Sequence, residues 1–215
     1  MADAPDPGNE LELRLRRGDE QALAELFSEH RERLWRMVRF RLSGPLQGRV
    51  DADDVLQEAY LAAAQRLKHY GGDSQMSPFV WLRAIVAQTL IDLHRRHVGA
   101  QMRDAGREVA IDGCHYAQAT SASVAIQLVG NLTSPSQAAA RAEMLDIVGK
   151  AIETMDPIDR EVLALRHFEE LTNSEVAEVL GIQQKAASIR YIRAVRRLKA
   201  ILAEVPGLLD ETQNA

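Results

Sequence analysis

Lys185, Arg190, Arg193, Arg196, Arg197 and Lys199 lie between Gln183 and Lys199 with no acidic residue among them, in a chain whose formal net charge is -5. Cations gathered on one short stretch suit phosphate oxygens, and a guanidinium fork also suits the edge of a base. Ala187, Tyr191, Ala194, Val195, Leu198 and Ile201 recur at helical spacing and form the side that must face a core. That stripe leaves Lys185, Ser188, Ile189, Ile192, Arg193 and Arg196 outward, with Gln184 and Arg190 beside them. Two isoleucines are out of place on a solvated surface but suit thymine methyl groups. The expected division of labour is that Ile189, Ile192 and Arg193 meet bases while Lys185, Arg190 and Arg196 hold phosphates.

A helix of this kind needs a partner to present it. Thr172 and Glu175 have capping-box spacing, which starts a short helix carrying Val176, Ala177, Val179 and Leu180. Gly181 permits the left-handed turn that ends it, and the basic helix begins near Gln183. Two helices joined by a tight glycine turn, the second of them basic, form the helix-turn-helix that places its second helix in the DNA major groove.

Two further constellations lie in the first half. Asp51, with Asp54 three residues on, announces a helix whose buried stripe is Val55, Ala59, Tyr60, Ala63 and Leu67, ended by Gly71 and Gly72. Its outward face carries Asp54, Gln57, Glu58 and Leu61, and an exposed leucine beside carboxylates suits a docking surface. Ser77 followed by Pro78 is a cap and first-turn signal for a helix running to about His97, with Leu82, Ile85, Val86, Thr89 and Leu93 inward. On that helix Trp81, Gln88 and Arg95 fall at i, i+7 and i+14 and share an outward stripe; aromatic and guanidinium planes there can receive an unstacked base. An earlier helix is marked from Asp19 by Leu23, Leu26, Phe27, Leu34, Val38 and Leu42, and stops at Ser43, Gly44 and Pro45.

These patterns predict an all-α protein of two small helical domains joined by a flexible linker, the C-terminal one containing the helix-turn-helix. The expected boundaries are a disordered tail over 1–10, a first domain over 11–98, a linker over 99–134, a second domain over 135–204 and a C-terminal tail over 205–215. The linker carries one short helical piece near Val124 to Val129, and its REVAIDG stretch has no derivable role. Composition agrees: 46% hydrophobic, 5% aromatic and 27% charged residues is the balance of a folded helical protein. The net negative charge argues against indiscriminate coating of nucleic acid. One cysteine, Cys114, makes no internal disulfide; the acidic start lacks signal-peptide features, and no apolar run approaches the roughly 20 residues that span a bilayer. A cytoplasmic protein with no membrane insertion is expected.

On DPIDREVLALRHFEELTNSEVAEVLGI, RGDEQALAELFSEHRERLWRMV, DADDVLQEAYLAAAQRL and SPFVWLRAIVAQTLIDLHRRH, the chain resembles the extracytoplasmic-function (ECF) group of sigma factors of bacterial RNA polymerase. The resemblance covers most of the chain. It implies that 11–98 is sigma region 2 and 135–204 is region 4. It also implies that Asp53, Asp54, Gln57, Glu58 and Leu61 grip the clamp helices of core polymerase. Trp81, Arg83, Gln88, Arg95 and Arg96 would hold the melted minus-10 element, with the loop around Lys68 to Met76 receiving a flipped base. Gln184, Lys185, Ser188, Ile189, Arg190, Ile192, Arg193 and Arg196 would read the minus-35 element. Departures from the family pattern fall at Gln88, where Asn is usual, at Gln183, where Ser or Thr would cap, and at Ala186 and Ser188. The implied partners are core RNA polymerase, promoter DNA and an anti-sigma factor, with no cofactor and no small-molecule substrate.

The alternatives are a helix-turn-helix regulator acting on duplex DNA without polymerase, and an interaction protein that has lost DNA activity. An enzyme is not expected: no glycine-rich phosphate loop, nucleophile elbow or catalytic carboxylate pair is present. Asp92, His94, His97 and the Cys114-His115 pair match no metal-ligand spacing.

Overall fold

The computed structural model describes residues 7–42, 50–71, 76–105, 120–130 and 138–204, and every described regular element is helical. The chain divides into two compact units, Met1–Arg39 with Gly48–Glu108, and Phe40–Gln47 with Val109–Ala215. The last two residues of the second helix, Phe40 and Arg41, therefore count with the second unit.

The first unit contains α1 (Pro7–Arg16), α2 (Glu20–Arg41, its last two residues excepted), α3 (Ala52–Arg66), a 3-10 turn over Leu67–His69, and α4 (Pro78–Ala105). Helix α1 begins inside the stretch expected to be a tail. Leu15 is fully buried and anchors it, while Leu13 remains exposed. Between α1 and α2, Asp19 accepts from the amides of Gln21 and Ala22 and pairs with Arg14, so one carboxylate caps α2 and ties it to α1. Asp51 caps α3 by accepting from the Asp53 amide, as the sequence predicts. Val55, Leu56, Ala59, Ala63 and Leu67 are buried along α3, which packs on α4. Leu82, Ile85, Val86, Thr89 and Leu93 are all buried on α4. Phe27 meets Tyr60 edge-on with ring centroids 5.1 Å apart, joining α2 to α3. Gly71 has φ of 95°, and a side-chain carbon there would come within 2.9 Å of Arg16 Cγ; Gly72 lies outside the described residues.

The second unit contains α5 (Ser121–Gly130), α6 (Ala138–Glu153), α7 (Pro157–Leu163) continuing as a π-helical turn over Ala164–Phe168, α8 (Asn173–Leu180) and α9 (Gln184–Ala203). Helix α4 runs eight residues past the expected end at His97, and α5 lies within the expected linker. Val124, Ala125 and Val129 explain α5: they are buried in one core with Val148, Ile152, Leu163, Ala164, Ala194, Ile201 and Phe40. REVAIDG, Cys114 and His115 lie outside the described residues, as do most of the expected tails at both ends. Asp156 caps α7 by accepting from the Ile158 amide, with Pro157 at the first position. Phe40 stacks on Phe168 at 4.8 Å, and Arg41 is buried with Glu161 and Glu169.

Candidate nucleic-acid interface

The turn between α8 and α9 is built from short-range chemistry. The Thr172 hydroxyl accepts from the Glu175 amide at 3.2 Å, and the Glu175 carboxylate accepts from the Thr172 amide at 2.6 Å. Gly181 sits in the left-handed region with φ of 62°. Asn173 Nδ2 donates to the Gln184 carbonyl at 2.9 Å, which ties the start of α8 to the start of α9. Gln183 holds the cap position of α9 with extended backbone but makes no side-chain cap bond.

Ala187, Ala194 and Ile201 are buried on α9, and Tyr191, Val195 and Leu198 are half-buried. The opposite side carries Gln184, Lys185, Ile189, Ile192, Arg193 and Arg196, all exposed, with Ser188 and Arg190 at the margin. Ile189 is 58% exposed and Ile192 51%, values that put two apolar side chains in water at the centre of the basic face. Arg193 is not a free cation. Its Nη2 and Nε donate to the two carboxylate oxygens of Asp159 at 2.7 and 3.0 Å, and Arg190 Nη1 lies 3.7 Å from the same group. Behind this face Arg166 donates to the Leu171 carbonyl at 2.6 Å and lies over the Tyr191 ring, whose hydroxyl is 3.0 Å from His167 Nε2. Burial, then the neighbouring Arg166, hold the His167 imidazole below its ordinary pKa, which favours the neutral ring.

On α4 the outward stripe is narrower than the sequence suggests. Trp81 is half-buried and lies tilted against Tyr70 with centroids 4.8 Å apart. Gln88 is half-buried and donates to Asp92 at 2.9 Å, while Arg95 and Arg96 are exposed. Arg83 is only 5% exposed, because its position shares the inward side with Phe79 and Leu90, both buried. It is thus not on the face that Trp81, Gln88 and Arg95 share. In the adjoining loop Lys68, His69 and Met76 are exposed and Tyr70 is buried; residues 72–75 lie outside the described residues.

On α3 Asp53, Asp54, Gln57 and Leu61 are exposed and Glu58 is half-exposed. Leu61 is 56% exposed. Arg31 pairs with Asp53, and Arg96 pairs with Glu58, so α2 and α4 each supply a cation to this acidic face. Among the described residues no group of three His, Cys, Asp or Glu could hold a metal, and no helix is long and apolar enough to cross a membrane.

Comparison with known proteins identifies the arrangement. The family model described as ECF sigma factor matches residues 10–200. The chain belongs to the ECF sigma factor family. It is 30% identical over 198 residues to the RNA polymerase sigma factor CarQ of Myxococcus xanthus, covering 89% of this chain and 95% of CarQ. It is 29% identical over 183 residues to the ECF RNA polymerase sigma factor SigD of Mycobacterium tuberculosis, covering 85% of this chain and 77% of SigD. Among solved structures, CnrH in complex with the cytosolic domain of CnrY has the same fold, with TM-score 0.51 at 24% identity over 93% of this chain and 100% of CnrH.

The pairing partners Arg31, Asp159 and His167 carry no role in the sequence pattern, and Tyr191 carries only a place on the core stripe of α9. Each is separated from its partner by tens of residues, and no local pattern reveals such a pair. Asp159 carried one signal, an acidic residue in the first turn of a capped helix, which reads equally as a charge answering the helix dipole.

Proposed function

We propose that this ECF sigma factor directs core RNA polymerase to specific promoters and helps melt the minus-10 element. The reading rests most on one observation: Ile189 and Ile192 stand exposed among Lys185, Arg193 and Arg196 on the outward face of a capped helix-turn-helix. In this reading α9 enters the major groove of the minus-35 element. Apolar and guanidinium groups meet the bases and the flanking cations hold phosphates. Trp81, Gln88, Arg95 and Arg96 take the minus-10 strand after melting, with Arg83 left to a structural part beneath them. The face of Asp53, Asp54, Gln57, Glu58 and Leu61 docks on core polymerase. The bond-forming chemistry is the polymerase's. An anti-sigma factor belongs to the proposal as the partner that holds the free protein inactive.

Ile192→Glu tests the duplex-reading face. The side chain is half exposed, so the fold survives, but a carboxylate there faces phosphate and removes the apolar contact. Initiation from a cognate promoter is expected to fall at least about tenfold, on the scale of one lost base contact. Core binding should stay within twofold. A parallel loss of both would count against the minus-35 assignment. The rival reading, a regulator needing no polymerase, predicts instead tight duplex binding by the chain alone.

A further inference from the structure

We infer that Asp159 is a positioning residue that sets DNA specificity by presenting Arg193 edge-on to a base; this deepens the minus-35 reading above and rests on it. Asp159 is 5% exposed, and its backbone is fixed in the first turn of α7, where Asp156 caps the helix and accepts from the Arg160 amide at 3.0 Å. The carboxylate takes the side edge of the guanidinium, Nε at 3.0 Å and Nη2 at 2.7 Å. A guanidinium has five N–H groups in one plane, so this pairing leaves both hydrogens of Nη1 and one of Nη2. One hydrogen of each Nη lies on the end edge of the fork, and the Arg193 side chain is 57% exposed.

The end edge of arginine is the one that donates in parallel to O6 and N7 of guanine in the major groove. A free arginine on a helix surface samples many rotamers and finds phosphate as readily as a base. Holding its plane from behind removes that freedom before DNA arrives and offsets part of its charge, which lowers its attraction to phosphate in general. Arg190, 3.7 Å from the same carboxylate, is within ion-pair range of it but beyond hydrogen-bond range, which suits a phosphate contact beside the base reader. The carboxylate touches no base itself, so its contribution is specificity carried through Arg193.

The experiment is selection from randomised DNA duplexes, using wild type, Asp159→Asn, Arg193→Lys and the double variant. Each full chain is presented with core polymerase and also alone. Wild type should select one G·C pair whose replacement costs about tenfold in retention, the scale of a bidentate contact. Asp159→Asn keeps the size but puts an NH2 group against the guanidinium, and should reduce that preference to within twofold while raising retention of unselected duplexes. Arg193→Lys should flatten the same position, and the double variant should be no flatter than either single one. Thermal melts and core affinity of Asp159→Asn are measured alongside. An unchanged base preference in Asp159→Asn would overturn the inference, as would a loss spread evenly over all positions or no DNA retained by any chain. Failure of the wild type to bind core would overturn the sigma reading, while selection by the free chain would still decide the part played by Asp159.

Discussion

Leu61→Arg is expected to weaken association with core RNA polymerase by roughly thirtyfold or more, the cost of losing a central interface residue. Leu61 is 56% exposed on α3, and Asp54, Gln57 and Glu58 precede it by seven, four and three residues, which places all four on one helix face. An exposed apolar side chain ringed by carboxylates and an amide has the composition of an interface centre with a polar rim. A solvated acidic face would have no use for the leucine. Asp54→Arg reverses a charge on the same face and should also weaken binding, with the larger effect at low salt because it acts through steering. Neither side chain is buried, so the melting temperature should hardly move. Binding of labelled protein to core polymerase, measured by titration at two salt concentrations, checks both. If Leu61→Arg bound core as wild type does, the docking face would lie elsewhere.

Arg41→Met should destabilise the second unit by about 3–5 kcal/mol, the cost of removing one partner of a buried ion pair. The Arg41 side chain is 2% exposed, and those of Glu161 and Glu169 are 7% and 1%. Nε donates to Glu169 at 2.6 Å and Nη2 to Glu161 at 2.7 Å. The guanidinium stays charged throughout the accessible pH range, pushed higher still by the two carboxylates against the opposing effect of its burial. Methionine retains the length and apolar bulk but takes these charge-assisted hydrogen bonds from two buried carboxylates. Urea unfolding followed by circular dichroism reads the loss. Adding Glu161→Gln and Glu169→Gln to Arg41→Met should recover most of it, since a neutral cluster no longer carries the electrostatic penalty. A single-variant loss below about 1 kcal/mol, the range of an exposed pair, would mean that water reaches the cluster.

What the sequence made legible and what it hid divide by distance along the chain. The Thr172 and Glu175 box, the Gly181 turn and the cap at Asp51 act within a few residues, so their spacing alone defines them. The buried stripes of α4 and α9 follow from helical period for the same reason, and with them the outward isoleucines. Arg83 shows the limit of that reasoning. It sits four residues after Phe79 and seven before Leu90, so the period puts it inward, while the family resemblance places it among the minus-10 contacts. Helix α1 was obscured because Leu11, Leu13 and Leu15 alternate rather than follow a helical period, and only Leu15 is buried. The ion pairs among the candidate site residues span 34 residues from Arg193 to Asp159 and 38 from Arg96 to Glu58. Such pairs exist only once the helices pack, and charge patterning cannot show which carboxylate a given arginine meets.

Reconstitution with purified core RNA polymerase, followed by transcription from a genomic library, separates an initiation factor from a regulator that needs no polymerase. A stable complex is expected, with transcripts that start at fixed sites downstream of a shared bipartite sequence and none from core alone. A chain that formed no complex with core, or formed one that started no specific transcript, would contradict the initiation-factor reading.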